Sequence, residues 1–306
     1  MGSVVYQVKD TLQRISLPGV SRDELKEQGI ADRRITSFST MEGYLDICMR
    51  FAKHCEAAYG IERRSGNITP EMAEAYIQQM RERELSGGYI GKVKAAIRKL
   101  DAGMKERGWR DPEEPELLAP RGGWHSDRRP GRAYSPQEAR EIIAEMQENA
   151  KGPQTADVVA LQRVAGLRVS EATMIRGQDL DVEEGKIRAV KKGTKGGRPT
   201  VHVDEEHVDL LARLKRRAES HRDDHVFQGR GHRGQSLASR TNGSVRHACE
   251  RLGIECYGTH GFRKTRAQEC YRRSREEGLD ERESRRELAR GLGHNRREVT
   301  YSYVRR

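Results

Sequence analysis

At 306 residues the chain is long enough for two domains of ordinary size, each with its own core. Apolar and charged residues each supply 34% of it, and the net charge is +11 with a pI near 9.5. That balance points to a polyanionic partner, nucleic acid first, because Lys and Arg gain by releasing the counterions condensed on phosphates. The cysteines (Cys48, Cys55, Cys249, Cys256, Cys270) form no Cys-x-x-Cys pair, which argues against zinc and a disulfide framework and for a reducing cytoplasm.

No apolar run approaches the roughly 20 residues of a membrane span, and the opening Met1-Gly2-Ser3-Val4-Val5-Tyr6 does not read as a signal peptide. The apolar residues recur at helical spacing in most segments, so the expectation is folded, strongly charged helices and not disorder. The first helix is predicted over Val4–Ile15, followed by a basic, turn-rich connection to residue 38. From Thr40 to Tyr59, Tyr44, Ile47, Cys48, Phe51 and Cys55 share one helical face. Thr69-Pro70 is a helix start with proline at the first position, and Met72, Tyr76, Ile77 and Met80 line that helix. Gly87-Gly88 is expected to break it, and another helix runs to about Arg107 with Ile90, Val93, Ile97, Leu100 and Met104 inward. Its outward side carries Lys94, Arg98 and Lys105, which read equally as a solvated face or as contacts to a DNA backbone. Residues 1–110 are thus a helical bundle.

Between residues 111 and 133 the periodicity vanishes, and Pro112, Pro115, Pro120 and Pro130 with Gly122, Gly123 and Gly131 predict an extended linker. Its length would let two domains clamp opposite sides of a rod-shaped ligand. The second domain, 134–306, opens on a capping box of Ser135 and Glu138. Helices are expected to about Ala150, over 155–165, and briefly from Val169. Residues 186–190 and 199–203 alternate like strands around the turn Lys192-Gly193-Thr194-Lys195-Gly196-Gly197. Helices follow over 204–220 and 238–252, and the closing segment supplies three more. Gly229-Arg230-Gly231-His232-Arg233-Gly234 fits a dinucleotide-binding pattern, but no buried strand precedes it, so it reads as a basic loop. The fold expected is mainly α with a small antiparallel sheet in the second domain.

Cutting a phosphodiester without a metal sets clear demands. Fixed positive charge must meet the non-bridging oxygens of a five-coordinate transition state, for which arginine's planar fork is suited. The leaving 5′ oxygen needs a proton donor, and a tyrosine hydroxyl can serve as a nucleophile that survives as a covalent intermediate. An ordinary tyrosine ionises only near pH 10, so cationic neighbours must favour its charged form. Arg168 stands after a glycine turn in Gly166-Leu167-Arg168-Val169-Ser170-Glu171-Ala172, with Glu171 three residues on to steady it. His260-Gly261-Phe262-Arg263, Leu292-Gly293-His294 and Tyr303 follow in the last fifty residues.

These elements, with Lys192-Gly193-Thr194-Lys195 between them, occur in the order of the tyrosine recombinase (phage integrase) family, which the chain resembles closely over residues 134–304. The resemblance is looser over the N-terminal part, which it makes a helical core-binding domain of SAM-like type. It implies that Arg168 and Arg263 clamp the scissile phosphate. It implies that Lys192 protonates the leaving 5′ oxygen, with Lys195 as the alternative in the same turn. His260 would hydrogen-bond the phosphate and assist deprotonation of the tyrosine, and His294 would be a further phosphate contact. Tyr303, nine residues after His294, takes the nucleophile's place, while Tyr301 reads as packing.

Two departures stand out: a charged stretch from Arg272 to Arg286 that is longer than the family's usual interval, and only three residues after Tyr303. Many relatives continue into a helix that docks on a neighbouring subunit. Here another segment is expected to substitute, or the assembly to be less tightly coupled. The resemblance implies a site-specific recombinase of a mobile element, working as a tetramer on double-stranded DNA with a specific site. It implies no cofactor or metal, and it allows an accessory DNA-bending protein. The other functional classes compatible with the sequence are a type IB topoisomerase and a non-catalytic DNA-binding relative.

Overall fold

The computed structural model describes residues 3–62, 64–119, 132–149, 153–188, 200–228, 233–294 and 297–304. The chain divides into two compact units, Met1–Asp127 and Arg128–Arg306. In the first, helices α1 (Val4–Arg14), α3 (Phe38–Tyr59), α4 (Pro70–Glu82) and α5 (Gly87–Glu106) surround one core, and the short α2 (Arg22–Glu27) packs on the turn Ala31–Arg33. Serine and threonine caps start most of them: the hydroxyls of Ser3, Ser37, Thr69 and Ser86 accept from the backbone N–H three residues on. The pair Gly87-Gly88, expected as a break, forms the first turn of α5, because Ser86 caps the helix immediately before it. Helix α2 lies in the stretch expected to be only turns; at six residues it is too short to show periodicity.

Val8, Leu12, Phe51, Ile97 and Leu100 are fully buried at the centre of this unit. A Cβ on Gly103 would stand 2.6 Å from the Thr11 side chain, so the bare glycine lets α1 and α5 approach. The chain after α5 does not leave this unit at residue 111. Asp101 forms a buried ion pair with Arg110 and accepts from Leu117 N–H at 2.9 Å. Leu117 and Leu118 are buried in the first core. Prolines erased the helical periodicity here, but two leucines and a buried carboxylate still fold the segment back. The rest of the expected linker, 120–131, lies outside the described residues.

The second unit contains α6 (Pro136–Asn149), α7 (Pro153–Ala165), α8 (Val169–Ala172), α9 (Val208–Glu219), α10 (Arg233–Leu252), α11 (Gly258–Glu276) and α12 (Glu281–Gly291). The capping box at α6 is formed in both directions, Ser135 N–H to Glu138 Oε2 at 2.7 Å and Glu138 N–H to Ser135 Oγ at 3.1 Å. Helix α7 packs against α6, α10 and α11, with Ala156 and Val159 in the core shared with α6 and Phe262, and Val158 and Leu161 in the core beside the sheet and α9. Each buried valine or leucine side chain contributes on the order of 1.5–3 kcal/mol.

Beside these helices lies a three-stranded antiparallel sheet of β1 (Leu180–Asp181), β2 (Lys186–Ile187) and β3 (Val201–His202), with Ile187 opposite both Leu180 and Val201. Two strands were expected; β1 is too short to alternate visibly. The basic Gly229–Gly234 stretch is outside the described residues up to 232, and from Arg233 the chain is already in α10. The architecture is mainly α with a small antiparallel sheet, as expected. Among the described residues, no helix is long and apolar enough to cross a membrane.

Candidate functional site

The site is built on the first two turns of α11. Gly258 takes the left-handed conformation (φ 63°) that starts the helix. The buried ring of Tyr134 lies under its first turn: the Tyr134 hydroxyl accepts from Tyr257 N–H at 2.8 Å and donates to Gly258 O at 3.2 Å. A Cβ on Gly261 would stand 2.4 Å from that ring, so only glycine permits the contact. Phe262 packs on the other part of the same ring, with centroids 4.7 Å apart. Thr265 Oγ1 donates to Tyr134 O at 2.7 Å, and Thr259 Oγ1 to Asn242 Oδ1 at 3.0 Å. The motif Thr259-His260-Gly261-Phe262-Arg263 thereby fixes which way His260 and Arg263 point.

Arg263 is fully buried, and its guanidinium is held on all sides. Nη1 donates to Gly166 O, and Nη2 to Leu292 O at 2.8 Å, with His294 Nε2 3.2 Å from Nη2. Its Nε donates to the Tyr303 hydroxyl at 3.3 Å. Burial, first of all, pulls its pKa below the usual arginine value, yet arginine stays cationic. The compensating charge is Glu171, a buried carboxylate 3.7 Å from Arg263 Nη1. Glu171 also accepts from Arg168 Nη1 at 2.6 Å and from Arg168 N–H at 2.7 Å. One carboxylate therefore orients both arginines, and Arg168 remains partly open to solvent at the start of α8.

Tyr303 follows a 3-10 turn, Arg297–Ser302, and its ring is buried. Its hydroxyl stands 3.3 Å from His294 Nε2 as well as 3.3 Å from Arg263 Nε. Because a guanidinium only donates, the hydroxyl accepts from Arg263 and can direct its own proton to His294 Nε2. That arrangement requires Nε2 to carry the lone pair and Nδ1 the hydrogen. His260 stacks at the edge of the same ring, 5.7 Å between centroids at 54°, and keeps solvent exposure at the mouth of the site. The protein packed around its ring, followed by the charges of Lys264, Arg263 and Arg168, pushes its pKa down to about 4, so the imidazole is neutral at neutral pH.

Arg168, His260, Arg263, His294 and Tyr303 thus come together from α8, α11 and the closing segment of a single chain. Lys192 and Lys195 lie outside the described residues. In the first unit, Lys94 and Arg98 are half-buried on α5, and Lys105 donates to Pro112 O and Glu114 O, holding the segment that follows the helix. Reasoning from the sequence did not single out Tyr134, Asn242 or Gln268, whose Nε2 donates to Tyr303 O at 3.2 Å. Tyr134 carries a faint signal, an aromatic residue immediately before a capping box. Its partners are more than a hundred residues away in the chain.

The family model of the phage integrases matches residues 133–306. The chain belongs to the phage integrase family. This integrase is therefore a tyrosine recombinase, a class that cleaves and rejoins DNA. Its structure is similar to that of the XerH site-specific recombinase bound to difH substrate in a pre-cleavage complex. The two are 15% identical, with 99% of this chain and 91% of that one covered and a TM-score of 0.65. It is also similar to the Tn1549 transposon integrase in complex with transposon right end DNA, at 17% identity, 94% and 95% coverage and a TM-score of 0.62. At such identities the likeness concerns the fold. No curated protein sequence matches the integrase.

Proposed function

We propose that this integrase is a site-specific recombinase that cuts and rejoins duplex DNA through a 3′-phosphotyrosyl link formed by Tyr303, serving the integration and excision of a mobile element. The observation that carries the reading is the hydroxyl of Tyr303 held between Arg263 Nε and His294 Nε2 within one chain. In the proposed step Tyr303 Oη attacks the phosphorus and its proton passes to His294 Nε2. The bond from phosphorus to the 5′ oxygen breaks, and that oxygen leaves as a hydroxyl with a proton from Lys192, or from Lys195. Arg263 and the more open Arg168 neutralise the non-bridging oxygens, and His260 adds a hydrogen bond. Because the phosphotyrosyl bond keeps the energy of the broken ester, rejoining by the 5′ hydroxyl is the same step reversed.

The proposed division of labour gives catalysis to residues 134–306 and a clamp on the opposite side of the DNA to the helical N-terminal unit, with Lys94 and Arg98 toward the backbone. The net charge of +11 supports a DNA partner. Two sites would be synapsed by four copies of the chain, with a DNA-bending protein as a further participant, in the cytoplasm.

The test is covalent capture. The full-length protein is incubated with a pool of nicked duplexes of randomised core sequence, and SDS-resistant adducts are isolated and sequenced. An adduct formed by the wild type and absent from Tyr303→Phe is the result expected. An adduct that persists in Tyr303→Phe places the nucleophile elsewhere, and no adduct from the wild type favours a DNA-binding protein without catalysis. Plasmids bearing two captured sites then separate recombination from the relaxation alone that a topoisomerase would give.

A further inference from the structure

Helix α12 carries a second buried arginine, which the chemistry above does not use. Arg285 is 1% exposed and lies in the charged stretch from Arg272 to Arg286. Its Nε donates to Glu281 Oε1 at 2.8 Å, one turn earlier on the same helix. Its guanidinium lies over the ring of Tyr301, with Cζ 4.1 Å from the centroid, and the Tyr271 ring of α11 is 5.2 Å away. A buried guanidinium gives up hydration, and an aromatic face returns part of it only when cation and ring hold a defined geometry.

Tyr301 stands two residues before Tyr303, in the turn Arg297–Ser302. A six-residue 3-10 segment is a weak scaffold, because its hydrogen bonds are poorly aligned. Here the chain leaves it through Tyr303 N–H and Val304 N–H, which both donate to Thr300 O, at 2.9 and 3.0 Å. Two arginines are among the side chains that hold this segment: Arg263 meets the phenol of Tyr303, beside His294 and Gln268, and Arg285 meets the ring of Tyr301. An aliphatic side chain at 285 would fill the space but would not fix the rotation of the ring above it.

We propose that Arg285 is a positioning residue for the nucleophile: stacked on Tyr301 and braced by Glu281, it sets the rotation of the 297–304 turn and so keeps the Tyr303 hydroxyl between Arg263 Nε and His294 Nε2. The inference rests on the reading of Tyr303 as the nucleophile. Arg285 acts through its contacts with Glu281, Tyr271 and Tyr301 and takes no part in the chemical step. The buried charge of Arg285 then holds a short catalytic segment in place.

Hydrogen exchange on the free full-length protein tests the positioning directly. Arg285→Met raises exchange of the peptide 297–304 roughly tenfold, the scale of a lost desolvated cation–π contact, while peptides of α7 and α10 exchange as in the wild type. On a duplex captured from the randomised pool, the same variant forms the adduct roughly tenfold more slowly with an unchanged DNA dissociation constant. A third arm removes the need for the phenol. In a Tyr303→Phe background, hydrogen peroxide serves as external nucleophile: its anion attacks phosphorus, the bond to the 5′ oxygen breaks, and that oxygen leaves with a proton. Arg285→Met changes this reaction little, because no tyrosine has to be positioned.

Unaltered exchange and adduct formation in Arg285→Met overturn the inference, and so does peroxide cleavage that falls in parallel, which would mean that Arg285 supports the whole phosphate site. Should Arg285→Met fail to fold, Tyr301→Leu removes the ring while keeping the arginine and is read in the same three ways. If the wild type forms no adduct, the recombinase reading fails, whereas the exchange measurement still decides whether Arg285 holds the turn.

Discussion

Removing a single oxygen atom, in Tyr134→Phe, probes how the fold presents the catalytic helix. The Tyr134 ring stays in place, so its contacts with Gly261 and Phe262 survive, but the hydroxyl that receives Tyr257 N–H and donates to Gly258 O is lost. Two hydrogen bonds of about 1 kcal/mol each disappear, and the partly buried Tyr257 N–H is left to find water, so the cost is about 2 kcal/mol. For a unit of this size that lowers the melting temperature by about 6 °C. Calorimetry of the full chain measures the transition of the second unit, and hydrogen exchange follows the peptide around 257–261. Adduct formation falls with it, because His260 and Arg263 both ride on the turn that loses its anchor. A melting temperature within about 1 °C of the wild type, with unchanged exchange at 257–261, would refute the anchoring role.

Two further predictions concern pH. His260 is held at about 4 instead of its ordinary 6.5, so its imidazole resonances in the free protein titrate near pH 4, and a DNA phosphate beside the ring raises that value. Since the unfolded chain takes up this proton at the higher pH, His260 stabilises the fold fully above 6.5 and loses that contribution as pH falls toward 4; a titration near 6.5 would show the ring to be hydrated and screened from its cationic neighbours. Asp204, just after β3, is held at about 2 against an ordinary 3.8, first by its hydrogen bond with Arg273 and then by Arg266. Its contribution, at most about 2 kcal/mol, is complete above the ordinary value and is lost as pH drops from about 4 to 2. Asp204→Asn therefore melts lower than the wild type at neutral pH and flattens the acid limb of its stability curve; an unchanged limb would assign that acid sensitivity to other carboxylates.

Much of the secondary structure was legible because it rests on local chemistry. Thr69-Pro70 and the Ser135–Glu138 box announce helices through hydrogen bonds spanning three residues, and apolar spacing gave the inward faces of α3, α4 and α5. The candidate residues were legible as well, since motifs such as Gly166-Leu167-Arg168 and His260-Gly261-Phe262-Arg263 are contiguous. What stayed hidden is long-range. Leu117 and Leu118 return to the first core because Asp101, sixteen residues upstream of Leu117, accepts from its backbone.

The order of side chains around the reacting oxygen was hidden for the same reason. The family resemblance implies that His260 bonds the phosphate and assists deprotonation of the tyrosine; in the fold His294 Nε2 stands 3.3 Å from that hydroxyl, while the His260 ring lies 5.7 Å from the tyrosine ring between centroids. Likewise Glu171 looked like a partner for Arg168 alone, and only the tertiary fold brings it within 3.7 Å of Arg263 as well. The sequence by itself determined which residue types are present and which helices carry them. Which of them touch was decided by tertiary packing, because a hydrogen bond depends on fractions of an ångström between atoms that the chain separates by dozens of residues.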